Sequence, residues 1–132
     1  MDRRTFIGAV TGGFLAAPVS VCAQKAPEMY RIGFLGTSTD LTTKLFWDAM
    51  RGLGWVEGQN VKIEWRIASR RDQLPALAAD LVQLKVDLIV TGGTPATTAA
   101  KPATATIPIV FTVSDDPVQN GLVSSLARPG GN

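Results

Sequence analysis

The chain has 132 residues, 45% of them hydrophobic and 18% charged, which is enough apolar material for one core and sets an expectation of no more than one domain. Net charge is +2; taking away the two arginines and one aspartate of the first 23 residues leaves eleven basic and ten acidic side chains, so there is no basic stripe for nucleic acid to engage. Histidine is absent, which removes the commonest general base and metal ligand, and the single cysteine, Cys22, excludes a disulfide within one chain.

Residues 1–23 read as an export leader. Arg3 and Arg4 stand directly before an apolar stretch, with Phe6 close behind, and Ile7 to Val21 carries no charge. Val21-Cys22-Ala23 supplies small residues at a cleavage site. Gly8, Gly12 and Gly13 make the apolar stretch a poor membrane span. The paired arginines resemble the twin-arginine export signal. An ordinary leader and lipid attachment at Cys22 are the alternatives, the second disfavoured by Val21 where a smaller residue is wanted. Residues 24–28 read as a flexible start. The mature chain is expected to be periplasmic, with no membrane span.

From residue 29 the pattern alternates strand and helix. Tyr30 to Leu35 is a short apolar run ending at Gly36, a strand signal. Leu45, Phe46, Ala49, Met50 and Leu53 recur at helical spacing, with Gly54 where a left-handed cap belongs. Val61, Ile63, Trp65 and Ile67 alternate with polar residues, as on a half-buried edge strand. Leu74, Leu77, Ala78, Leu81 and Val82 mark a second helix. Val86 to Val90 reads as a third, central strand, Pro95 to Lys101 as a short helix, and Ile107 to Phe111 as a fourth strand with Pro108 at its start. Leu122 to Arg128 reads as one more short helix. Four strands separated by three helices imply right-handed crossovers and a doubly wound parallel α/β sheet. Pro129-Gly130-Gly131-Asn132 reads as a turn into a further strand, so residues 29–132 look like an incomplete lobe. Its open sheet edge is expected to make residues 24–132 marginal or aggregation-prone in isolation.

In such sheets ligands sit beyond the carboxyl ends of the strands, where strand order reverses. Three loops qualify: Gly36 to Asp40, Gly92 to Pro95, and Thr112 to Pro117. All are rich in hydroxyls and short side chains. Gly93 lets backbone approach a ligand, and the helix that follows directs amides at the same spot, which suits a carboxylate. Thr94 adds a hydroxyl or caps its own helix. Thr37 and Ser38 are donors to an anion or caps of the first helix. Asp115 and Asp116 are poorly placed for a catalytic dyad; one of them, Asp116 foremost, holds an ammonium group or simply makes the turn before Pro117. Trp47, Trp55 and Trp65 read as packing residues away from the cleft. No metal site and no cofactor is expected.

Several runs resemble the ABC transporter substrate-binding protein family of type I periplasmic binding proteins. They are Arg31-Ile32-Gly33-Phe34-Leu35-Gly36-Thr37, Gly52-Leu53-Gly54-Trp55-Val56-Glu57-Gly58-Gln59-Asn60-Val61 and Leu74-Pro75-Ala76-Leu77-Ala78-Ala79. Further along come Asp87-Leu88-Ile89-Val90-Thr91-Gly92-Gly93-Thr94-Pro95-Ala96, Ile107-Pro108-Ile109-Val110-Phe111, Asp116-Pro117-Val118, Gly121-Leu122-Val123 and Ser125-Leu126-Ala127-Arg128-Pro129-Gly130-Gly131-Asn132. The resemblance implies two α/β lobes closing without covalent chemistry on a small polar solute such as an amino acid. It implies delivery to an ABC permease at the inner membrane. Thr37, Ser38, Thr94 and the Asp116 loop then line the cleft from the first lobe. A flavodoxin-like cofactor protein is the rival reading, weakened by the lack of aromatic residues in the loops after the third and fourth strands. A receiver domain lacks its acidic cluster and phosphoacceptor aspartate.

Overall fold

The computed structural model describes residues 29–113 and 115–132. The leader and the flexible start expected at residues 1–28 lie outside these. The described elements, in chain order, are β1 (Tyr30–Gly36), α1 (Leu41–Gly52), β2 (Val61–Ile67), α2 (Leu74–Gln83), β3 (Leu88–Gly92), α3 (Thr94–Ala100) and β4 (Ile109–Val113). The four strands form one sheet in the order β2-β1-β3-β4, and every neighbouring pair is parallel. The doubly wound reading of the sequence is therefore met.

Side-chain alternation along the strands sends two sets of residues to opposite faces. On one face Ile32 and Phe34 of β1, Val61 and Ile63 of β2 and Val90 of β3 pack under Phe46, Trp47 and Met50 of α1. On the other, Leu35 and Ile89 pack under Leu74, Ala78 and Leu81 of α2 and Ala96 and Ala100 of α3. Phe34, Leu35, Leu81 and Ile89 are wholly buried, and each such side chain contributes ~1.5–3 kcal/mol of transfer free energy. The second face is tight: a Cβ on Gly33 would lie 2.8 Å from Leu81 Cδ2. This lets α2 sit directly against β1.

Local chemistry sets the element ends. Asp40 caps α1, its Oδ1 accepting from the Thr43 amide at 3.0 Å and the Thr43 hydroxyl at 3.2 Å. Gly54 takes φ +97° just past α1, as a left-handed cap requires. Gln73 Oε1 gathers the Ser69 and Arg70 amides ahead of α2. Arg66 Nε donates to Asp80 Oδ2 at 2.6 Å, tying β2 to α2.

Three expectations shift. β3 begins at Leu88 rather than Val86: Val86 is buried in the core on the α2 and α3 side, and Asp87 is tied to the start of β1, its Oδ2 accepting from the Arg31 amide at 2.8 Å. β4 begins at Ile109, because the Ile107 amide is held in a turn by the Thr104 hydroxyl and Pro108 has no N–H to offer. The helix expected over Leu122 to Arg128 is absent. Turns replace it: the Gly121 amide bonds Val118, the Leu122 amide bonds Pro117, and the Ser125 hydroxyl accepts from the Arg128 amide. Of that stretch only Leu122 is fully buried, too little for an amphipathic helix. Lys101 Nζ pins it to α3 through the carbonyls of Gly121 and Leu122.

Candidate functional site

The chain leaves β1 toward one side to build β2 and returns past β1 to build β3 on the other, so strand order reverses between β1 and β3. Gly36 and Gly92, the last residues of these strands, are register partners. Adjacent strands lie about 4.8 Å apart, so the two loops start side by side. Both glycines sit close over the packing below the site. A Cβ on Gly36 would meet the Phe34 ring at 3.0 Å, and one on Gly92 would meet it at 3.1 Å.

On the β1 side, Thr37, Ser38 and Thr39 are exposed, and among the described residues their hydroxyls have no hydrogen-bond partner. Capping of α1 falls instead to Asp40. That carboxyl is held below the usual carboxylate range, chiefly by the hydrogen bond from the Thr43 amide. Thr37 and Ser38 are thus uncommitted donors at the switch point.

On the β3 side the geometry is fixed. Gly93 sits at φ +97° and ψ 158°, a conformation essentially reserved for glycine. Its carbonyl accepts from the Thr97 amide at 3.1 Å and the Thr97 hydroxyl at 3.0 Å. Thr94 opens α3 but its side chain does not cap that helix; its hydroxyl accepts from the Asp115 amide at 3.0 Å and donates to Asp115 Oδ2 at 3.3 Å. The loops after β3 and β4 are thereby joined.

Asp116 is placed otherwise. Its Oδ1 accepts from the Val118 and Gln119 amides at 2.9 and 3.0 Å, shaping the turn after β4. Asp115 is the member of the pair that stands against Thr94, a contact across 21 residues that local spacing does not encode. Sequence reasoning also missed Thr91 and Thr97, buried with Oγ1 atoms 2.7 Å apart. Their signal is hydroxyls at positions where the strand and the inner face of the helix call for valine or alanine. Trp47 and Trp65 pack edge-on at 5.6 Å, and Trp65 lies 5.1 Å from Phe34, on the α1 face rather than in the strand-end loops.

The family model for ABC transporter substrate binding proteins matches residues 34–132. The chain belongs to this family. A tyrosine-binding protein of Clostridioides difficile (strain R20291) is 41% identical over 98 residues, 72% of this chain and 28% of that protein. Among solved structures, an ABC domain in complex with L-Trp from Streptococcus pneumonia is 28% identical with a TM-score of 0.71, over 78% of this chain and 36% of that one. The ligand-free, open structure of a substrate-binding protein with adhesive properties from Clostridium difficile is 33% identical with a TM-score of 0.70, over 79% and 36%. The present chain therefore spans about a third of the length of the relatives it matches. The strand-end loops described above offer exposed hydroxyl donors. Among the described residues no helix is long and apolar enough to cross a membrane.

Proposed function

We propose that this substrate-binding protein serves an ABC importer in the periplasm, holding a free amino acid non-covalently and presenting it to an inner-membrane permease. The observation that carries the reading is the pairing at the switch point: uncommitted Thr37 and Ser38 hydroxyls on one side and a pre-set Gly93–Thr94 backbone on the other, starting from register-paired glycines. Hydroxyl donors beside a backbone turn of fixed conformation suit a carboxylate. Relatives named for tyrosine and crystallised with L-Trp favour an aromatic amino acid. A concave site of this sort gains specificity from a few placed polar groups and from exclusion of water on closure. Closure needs a second lobe, so the proposal concerns the complete gene product.

Asp116 shapes the loop after β4 through its Oδ1, which accepts from two amides of its own turn. The leader expected at residues 1–23 is what export to the periplasm requires. Isothermal titration of the complete gene product with L-tyrosine, L-tryptophan and a neutral sugar tests the function. Saturable binding of an aromatic amino acid and none of the sugar is expected. Sugar binding with no amino-acid binding would refute it.

A further inference from the structure

The strand ends are level across three strands, not two. Ile67, the last residue of β2, is the register partner of Gly36, which in turn pairs with Gly92. The Ala68 amide donates to the Gly36 carbonyl at 2.8 Å. Residues 68–73, which lead from β2 into α2, therefore leave the sheet beside Thr37 and Ser38. Gln73 Oε1 holds this loop in a fixed turn, accepting from the Ser69 amide at 3.0 Å and the Arg70 amide at 3.2 Å.

Charge sets this loop apart from its neighbours. Residues 37–40, 93 and 114–121 contain no lysine or arginine, whereas residues 68–73 contain Arg70 and Arg71. Acids stand in the other loops: Asp40 after β1, and Asp115 and Asp116 after β4. A carboxylate held at Thr37 and Ser38 is repelled by these three charges. Among the strand-end loops, the cation that offsets them can come only from the one after β2. The two arginines there are differently employed. Arg70 is spent on Asp72, its Nε donating to Oδ1 at 3.0 Å and its Nη2 to Oδ2. Arg71 is exposed and has no hydrogen bond or ion pair among the described residues. Its side chain is long enough to cross the roughly 4.8 Å from β2 to β1, and a planar guanidinium matches a carboxylate with two parallel hydrogen bonds.

We infer that Arg71 is the carboxylate-binding residue of this lobe: its guanidinium pairs with the carboxylate of the solute at the end of β1, and the Thr37 and Ser38 hydroxyls complete the hydrogen bonding. The inference rests on the proposed amino-acid site and adds the charge partner that hydroxyls alone do not supply.

An exposed arginine also serves merely to keep a surface solvated, and removing any cation changes the potential over the whole face. The test separates pairing from both. Arg71→Gln, Arg71→Lys and Arg70→Gln variants of the complete gene product are compared with the wild type by isothermal titration. The probes are L-tyrosine and L-tryptophan, each beside its carboxamide, in which a neutral amide replaces the carboxylate. The wild type should prefer the acid to the amide. Arg71→Gln should weaken the acid about ten- to hundredfold, as loss of a charge-assisted hydrogen bond does, and leave the amide within about twofold, so that the preference collapses. Arg71→Lys keeps the charge without the fork and should fall between. Arg70→Gln should keep the wild-type preference. Equal weakening of acid and amide in Arg71→Gln, or weakening of neither, overturns the inference. A collapse in Arg70→Gln as large as in Arg71→Gln also overturns it, since the effect then belongs to the general field. A wild type that binds the amino acids with no preference over their amides overturns it while leaving the proposed function standing. A wild type that binds neither amino acid defeats the proposed function itself, a failure visible before any variant is made.

Discussion

The two loops that flank the switch point are built on opposite plans. The β1 loop offers Thr37, Ser38 and Thr39 to solvent with no partner among the described residues, and its one structural duty falls to Asp40. The β3 loop is committed throughout: Gly93 in a glycine-only conformation, its carbonyl bonded twice by Thr97, and Thr94 locked to Asp115. A site needs both kinds of loop. Donors with no intramolecular bond to break supply contact, and a rigid neighbour supplies the frame, so that little ordering entropy is lost when the solute arrives.

The difference can be broken by substitution, and the β3 loop should show the larger effects on stability. Gly93→Ala forces a Cβ into a strained region and should cost about 1–3 kcal/mol in urea denaturation, with loss of amino-acid binding. Thr94→Val removes the link to the loop after β4 and should cost ~0.5–1.5 kcal/mol, read from the same denaturation curves. If this second loss matched or exceeded the first, the Gly93 conformation would not be what holds the β3 loop rigid.

On the β1 side Asp40→Asn sharpens the contrast through pH. The Thr43 amide lowers the folded-state Asp40 pKa. Its stabilisation is therefore complete above the usual carboxylate range and is lost as pH falls through the lowered value. Melting scans should put wild type modestly above the asparagine variant at neutral pH, and the two should converge in acid. A gap that persisted or widened in acid would mean the carboxylate charge is not what caps α1. The smallest effect on stability belongs to the double variant Thr37→Ala/Ser38→Ala. It should leave the unfolding free energy within ~0.5 kcal/mol of wild type, yet weaken binding of L-tyrosine by about tenfold. An equal loss of stability would show these hydroxyls to be structural after all.

Much of this was legible in the sequence, and the part that was not has a common cause. The apolar runs at Tyr30–Gly36 and Val61–Ile67 and the stripe through Leu74–Val82 carry strand and helix periods that fold as read, whereas the stripe through Leu45–Leu53 marks the helix but not its inner face: Leu45, Ala49 and Leu53 are exposed, and Thr43, Phe46, Trp47 and Met50 face the sheet. Gly54 and the Gly92-Gly93 pair announce their backbone demands directly, since few other residues satisfy them. The strand starts at Leu88 and Ile109 were misplaced by two residues because apolar character continues upstream, while hydrogen bonding is decided by distant partners: Arg31 for Asp87, and a turn at Thr104 for Ile107. The short helix expected over Leu122 to Arg128 failed for the converse reason, an apolar spacing with only Leu122 fully buried. In the site, Thr37, Ser38, Gly93 and Thr94 all fall at the strand ends flanking the reversal of strand order. The Thr94–Asp115 link and the Thr91–Thr97 pair depend on register across β3, α3 and β4, which no local pattern in the chain displays.

The central claim is that the solute is held at the reversal of strand order between β1 and β3. A crystal structure of the complete gene product with bound L-tyrosine tests it most directly. The account predicts the amino-acid carboxylate within about 3 Å of the Thr37 or Ser38 hydroxyl and of the Gly93–Thr94 backbone. L-tyrosine seated instead in the cavity of about 240 Å³ between α3, β4 and residues 122–132, with the strand-end loops empty, would contradict it.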